Sequence, residues 1–230
     1  MLATTGKAYD YKGAVAVKTV RPPAANLSDD VTILWQDRRT ISPDQRRKAW
    51  ALIGEIAAEV GYGGAGGKQE VHDNLKRMFI TNCASDLIEK SKEKFSLADT
   101  DMTTARLYIT FLVDFCIENG IPTKLPLWKM ADDIEAYVYH CSVNKVCAVC
   151  RKHAGIHHVD TVGMGRNRNT IDHLGMMHLP LCWGVGGHHQ EVEQIGNKAF
   201  LEKYHLVPIP IDERIAKIHK LKILKEDTPE

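Results

Sequence analysis

The stretch that decides the reading runs Cys147-Ala-Val-Cys150, then Ile156-His157-His158, Gly163-Met-Gly-Arg-Asn-Arg168, Leu179-Pro-Leu-Cys182 and Gly187-His-His-Gln-Glu-Val-Glu193. Nine of the chain's eleven histidines lie after residue 144. Thiolate, imidazole and carboxylate donors crowded together in this way point to bound metal. A Cys-x2-Cys knuckle needs a second, distant pair to close a tetrahedral zinc site. Cys147 and Cys150 supply the first pair, and Cys182 and His188 are the candidates for the second. The loop Trp183-Gly-Val-Gly-Gly187 is inserted between the latter two, and its glycines let the chain turn back.

A second cation site is separable from the first. His189 and Glu193 are four apart, so on a helix they share a face. His157, from a preceding strand, completes the set. Two nitrogens and one carboxylate leave positions open for a phosphate oxygen and water, as a catalytic ion requires. His158, its neighbour on the strand, faces the other side and does not ligate. A neutral imidazole there can take a proton from water near neutral pH. Between the two halves of the motif, Arg166 and Arg168 suit bidentate phosphate contact.

The whole-chain numbers are less specific. At 230 residues the chain has room for one large domain or two small ones. A hydrophobic content of 44% with 26% charged residues is ordinary for a soluble globular protein. No apolar run approaches the roughly 20 residues that span a bilayer, and no secretion signal is seen, so a cytoplasmic location is expected. If the chain is phage-encoded, that is the cytoplasm of the host cell. Disulfides are disfavoured there, leaving the six cysteines as thiols or ligands, with Cys83 and Cys116 expected in the core. Net charge is only +1, so any nucleic-acid contact must come from local patches. One such patch is Arg38, Arg39, Arg46, Arg47 and Lys48, beside Trp35 and Trp50. It can hold a phosphate backbone with an aromatic ring available for stacking, although Trp50 sits on an apolar helix face and reads as core.

The remaining pattern predicts an α+β chain. Strands are expected over 13–20 and 30–36. A helix opens at Ser42-Pro43 and runs to Val60, and a glycine loop over 61–67 ends it. Further helices are predicted over 70–80, from Asp101 to Asn119-Gly120, over 127–141, over 187–204 and over 213–225. Phe95-Ser-Leu97 and 206–211 read as extended. The expected organisation is a mainly helical N-terminal DNA-binding domain with a small β-sheet (1–143), then a small zinc-knuckle domain ending in a helix (144–230).

Over about residues 145–205 these motifs resemble the HNH, or ββα-metal, endonuclease family. The resemblance implies a hairpin carrying one ligand, His157, followed by the general base, His158. A helix after it would carry His189 and Glu193, where similar family members usually have His. Cys147, Cys150, Cys182 and His188 match the zinc knuckle that many members add. The middle Asn of the family signature falls on His178, Met177 or Asn169, with His178 taken as the catalytic candidate. Residues 30–122 resemble phage Orf (NinB-type) recombination mediators, which bind single-stranded DNA and suggest a homodimer. Together the resemblances imply a metal-dependent DNA endonuclease of a phage or prophage recombination module, acting on single-stranded or branched DNA. Its ions would be Mg²⁺ or Mn²⁺ for catalysis and Zn²⁺ for structure, with no membrane partner. The competing expectations are a non-catalytic, zinc-containing recombination mediator that binds single-stranded DNA, and a structural zinc protein whose partner is another protein.

Overall fold

The computed structural model describes residues 6–11, 14–19, 39–82, 96–159 and 171–224. Its opening hairpin pairs β1 (Gly6–Tyr11) with β2 (Ala14–Thr19), antiparallel from Gly6↔Thr19 to Tyr11↔Ala14. β2 falls within the expected 13–20. β1 was not foreseen, since Gly6, Lys7 and Asp10 are poor strand formers. The strand expected over 30–36 lies outside the described residues, as does Cys83.

α1 (Pro43–Glu59) begins as its local chemistry dictates. Ser42 Oγ accepts from the Gln45 amide at 3.1 Å, Gln45 Oε1 accepts from the Ser42 amide at 3.1 Å, and Pro43 fills the first turn. Ala49, Leu52, Ile53, Ile56 and Ala57 form its buried face. α2 (Ala65–Asn82) starts inside the glycine run, so the loop expected through 67 ends earlier. Each helical glycine costs about 1 kcal/mol relative to alanine. Burial of Val71, Leu75 and Phe79 offsets that cost.

α3 (Met102–Glu118) is capped by Asp101, which accepts from the Thr104 amide at 2.8 Å, and it ends at Asn119 and Gly120 (φ +63°), as expected. Cys116 is fully buried in it, and burial pushes its thiol up to about 12, which makes it a packing residue. Residues 96–100 form a turn rather than the extended segment expected there, because the Asp99 and Thr100 amides both return to Ser96 O.

The single helix expected over 127–141 is two, α4 (Leu127–Met130) and α5 (Ile134–Val143). Two adjacent aspartates explain the break. Asp133 caps α5 by accepting from the Ala136 amide, and Asp132 receives Lys48 Nζ at 2.6 Å.

β3 (Gly155–His158), β4 (Met177–Leu181) and β5 (Ile209–Pro210) form an antiparallel sheet in that order. Its register places His157 opposite Leu179 and His158 opposite His178. α6 (His188–Ile195) and α7 (Asn197–Tyr204) replace the one helix expected over 187–204. Gly196 at φ +82° turns the chain between them, a conformation that L side chains rarely adopt. α8 (Glu213–His219) is shorter than the predicted tail helix. Among the described residues the buried apolar side chains form a cluster that runs from Ile41 to Ala216. Among the described residues no helix is long and apolar enough to cross a membrane.

Candidate active site

Cys147 and Cys150 lie on a tight turn where Arg151 adopts φ +62° and its amide bonds Cys147 O at 2.8 Å. Cys182 directly follows β4, and the glycine-rich insertion brings the chain back so that the His188 amide lies 3.3 Å from Cys182 Sγ. The ligand atoms of Cys147, Cys150, Cys182 and His188 all lie within 4.8 Å of one another. His188 Nδ1 is 3.5 Å from Cys147 Sγ and 3.3 Å from Cys182 Sγ, and Cys150 Sγ is 3.7 Å from Cys182 Sγ. Zinc bond lengths set tetrahedral edges of roughly 3.5 Å between sulfur and nitrogen and 3.8 Å between sulfurs, so the four donors are spaced to within a few tenths of an ångström for one zinc ion. Burial pushes the Cys147 thiol up to about 12, so a cation is what would draw it to thiolate at neutral pH. Glu191 Oε2 stands 3.9 Å from His188 Nε2, and Lys203 and Tyr204 of α7 hold that carboxylate. A carboxylate on that side of the ring is the kind of group that orients zinc-bound histidines.

The hairpin and α6 bring His157 and His189 together, their rings 4.9 Å apart and edge to face. His157 Nε2 lies 3.0 Å from Asn197 Oδ1, which accepts the imidazole N–H and leaves Nδ1 as the lone pair for an ion. Asn197 Nδ2 donates to Val159 O at 3.0 Å, so one side chain clamps the end of β3. Burial, then the neighbouring His157, lowers the His189 pKa, which favours its neutral form. Glu193 Oε1 is 3.5 Å from His189 Nδ1. Among the described residues, the cysteine knuckle is the one group whose ligand atoms all lie within 4.8 Å.

His158 stacks on His173, ring centroids 5.0 Å apart at 28°. Nδ1 of His173 is buried without a hydrogen-bond partner among the described residues. His178, expected at the catalytic centre, is fully buried opposite His158, and both of its nitrogens are committed. They lie 2.9 Å from Ser142 Oγ and 2.8 Å from Ile209 O, tying the hairpin to α5 and β5. It therefore has no nitrogen free for substrate. Burial pushes its pKa down to about 4 from an ordinary 6.5. Between those values unfolding takes up a proton. The stability this imidazole contributes is complete above pH 6.5 and is lost as pH falls towards 4, by up to roughly 3 kcal/mol. Thermal melts of wild type and His178→Gln across this window check the point: the wild type should fall more steeply.

The expected DNA-contact residues divide. Arg38, Arg166 and Arg168 lie outside the described residues. Arg46 donates to Leu97 O at 2.8 Å and Ala98 O at 2.7 Å, and Lys48 is taken by Asp132, so both serve the fold. Arg39 and Arg47 are exposed. Arg47 pairs with Asp44 at 3.2 Å in a solvent-exposed contact that a phosphate can displace. Trp50 is partly buried against His72, ring centroids 4.9 Å apart, with Lys68 Nζ 5.4 Å above its ring. Sequence reasoning missed His173 and Asn197. Asn197 was hidden inside a helix predicted to be continuous, and nothing local marks His173 as a neighbour of His158.

An antiparallel hairpin bearing paired histidines, a zinc knuckle and a following histidine-bearing helix together define a ββα-metal protein. The chain matches the family described as "Putative HNHc nuclease" over residues 16–222, and it belongs to that family. The match takes in the helical front as well as the metal-rich rear. No curated protein and no solved structure matches the chain.

Proposed function

We propose that the protein is a metal-dependent DNA endonuclease. The observation that carries this reading is the convergence of His157 from the hairpin and His189 from α6, rings 4.9 Å apart, with Asn197 orienting His157 and the Glu193 carboxylate 3.5 Å from His189. The donor set suits a divalent ion such as Mg²⁺ or Mn²⁺, held by His157, His189 and Glu193. When bound, that ion neutralises charge on the scissile phosphate. His158 takes the proton from the attacking water. His173 and His178 act as positioning residues, one stacked on the base and the other bracing the strand opposite it. Arg166 and Arg168 orient the phosphate, and Arg39 and Arg47 extend the contact along the strand. Single-stranded or branched DNA of a phage recombination module is the proposed substrate. The mediator-like order of basic and aromatic residues around Arg39–Trp50 supports it.

The test is cleavage of plasmid and single-stranded DNA with and without added Mg²⁺ or Mn²⁺. Cutting that depends on the added ion is expected, and its absence would overturn the proposal. Glu193→Ala should weaken apparent Mn²⁺ affinity about 10-fold or more, whereas Glu193→His should retain it. A Mn²⁺ titration of cutting rates checks this. A second reading, a DNA-binding zinc protein without turnover, is favoured by one observation: the knuckle donors are already assembled, and those of the other site are spread more widely. Retention of DNA with no ion-dependent cutting would decide for it.

A further inference from the structure

We propose that Trp183 is a stacking platform for an unpaired nucleobase of the substrate, so that the site takes strands whose bases are not buried in a duplex. This rests on the nuclease reading above.

Trp183 is 59% exposed, whereas Trp50 and Trp128 pack against the core. The indole is nevertheless fixed in place. One face stacks on the His189 ring, centroids 3.5 Å apart at 24°. Its edge lies over Gly155, where an added Cβ would sit 2.4 Å from Nε1. The insertion is shaped to hold it there. Gly184 and Gly186 take φ +102° and +72°, the Gly186 amide bonds Gln190 Oε1 at 2.9 Å, and a Cβ at Gly187 would meet Cys182 O at 2.6 Å. Beside it Val185 is fully exposed.

A rigid indole covered on one side and open to water on the other is suited to receiving a base, and such stacking tolerates any base. Its position fixes what it receives. Stacking on the face of His189 leaves the in-plane lone pair of that imidazole available to an ion. The platform is therefore one ring away from the proposed ion site, close enough for a nucleotide whose phosphate meets the ion to lay its base on the indole. A base inside a duplex has both faces occupied by its neighbours, so only an unpaired or extruded one can use the indole.

The test is binding by the full-length, zinc-loaded protein without added divalent ion, using fluorescence polarisation. The probes are a labelled oligothymidylate strand and an abasic deoxyribose-phosphate chain of equal length. The wild type should prefer the base-bearing strand by about 10-fold, within the roughly 5- to 150-fold that stacking of one base supplies. Trp183→Ala should lose that preference with its affinity for the abasic chain unchanged, and Trp183→Phe should keep most of it. Equal binding of both probes by the wild type would overturn the inference. So would equal weakening on both probes in Trp183→Ala, or a phenylalanine variant as poor as the alanine one. Ion-dependent cutting of the same base-bearing strand is assayed in parallel. Cutting without base preference would remove the platform and leave the nuclease reading standing. Base preference without cutting would remove the nuclease reading and leave the platform.

Discussion

His158→Ala should abolish DNA cleavage while leaving DNA binding and zinc content intact. A positioned general base contributes typically 10²- to 10⁴-fold to rate, and a loss of that size is expected in kcat. The structure makes the substitution a selective one. His158 is neither in the cysteine knuckle nor in the His157–His189 pair, and it is only partly buried at the end of a short strand. The strand itself is held by other means: Asn197 bonds Val159 O, the Val159 amide bonds Met177 O, and His178 anchors the partner strand to Ser142 and Ile209. Removal of the imidazole should therefore leave the backbone where it is. A retardation assay and metal analysis on the same preparation separate lost chemistry from lost structure. Undiminished cutting by this variant would dispose of the mechanism.

The second large effect should come from Cys150→Ser or Cys182→Ser. Structural zinc contributes an apparent 10–16 kcal/mol in zinc-finger peptides, comparable to the whole stability of an ordinary domain. Cys182 directly follows β4, and its carbonyl receives the His189 amide at 3.1 Å, so the knuckle, the sheet and α6 meet at this residue. Zinc should fall from stoichiometric to trace amounts. A stability loss of even ~4 kcal/mol would lower Tm by roughly 8–16 °C in a chain of this length. Elemental analysis and calorimetry check it; full zinc content with an unchanged melt would mean that the four donors do not share an ion.

Much of the site could be read from the amino-acid order, because its chemistry is local. Cys-x2-Cys restricts what a turn can do, and a histidine and an acid four residues apart share a helix face. Ser42 and Asp101 announced their helices for the same reason: a cap is a contact with an amide three residues on. What escaped prediction depends on partners distant in the chain. Lys48 meets Asp132, 84 residues away, and Arg46 meets Leu97, 51 residues away, so side chains expected on DNA are spent inside the protein. His173 reaches His158 only because the sheet folds around it. The breaks at Ala131–Asp133 and Gly196 were hidden because apolar periodicity continues across each.

His188 and His189 are consecutive on α6, yet one faces the cysteine knuckle and the other faces His157 of the hairpin. Since one peptide bond joins them, a shift of the α6 backbone at one carries the other with it. If zinc fills the knuckle, it would act as a set-screw for the proposed ion site: in a cell starved of zinc the protein would keep His157, His189 and Glu193 in covalent structure but lose their alignment.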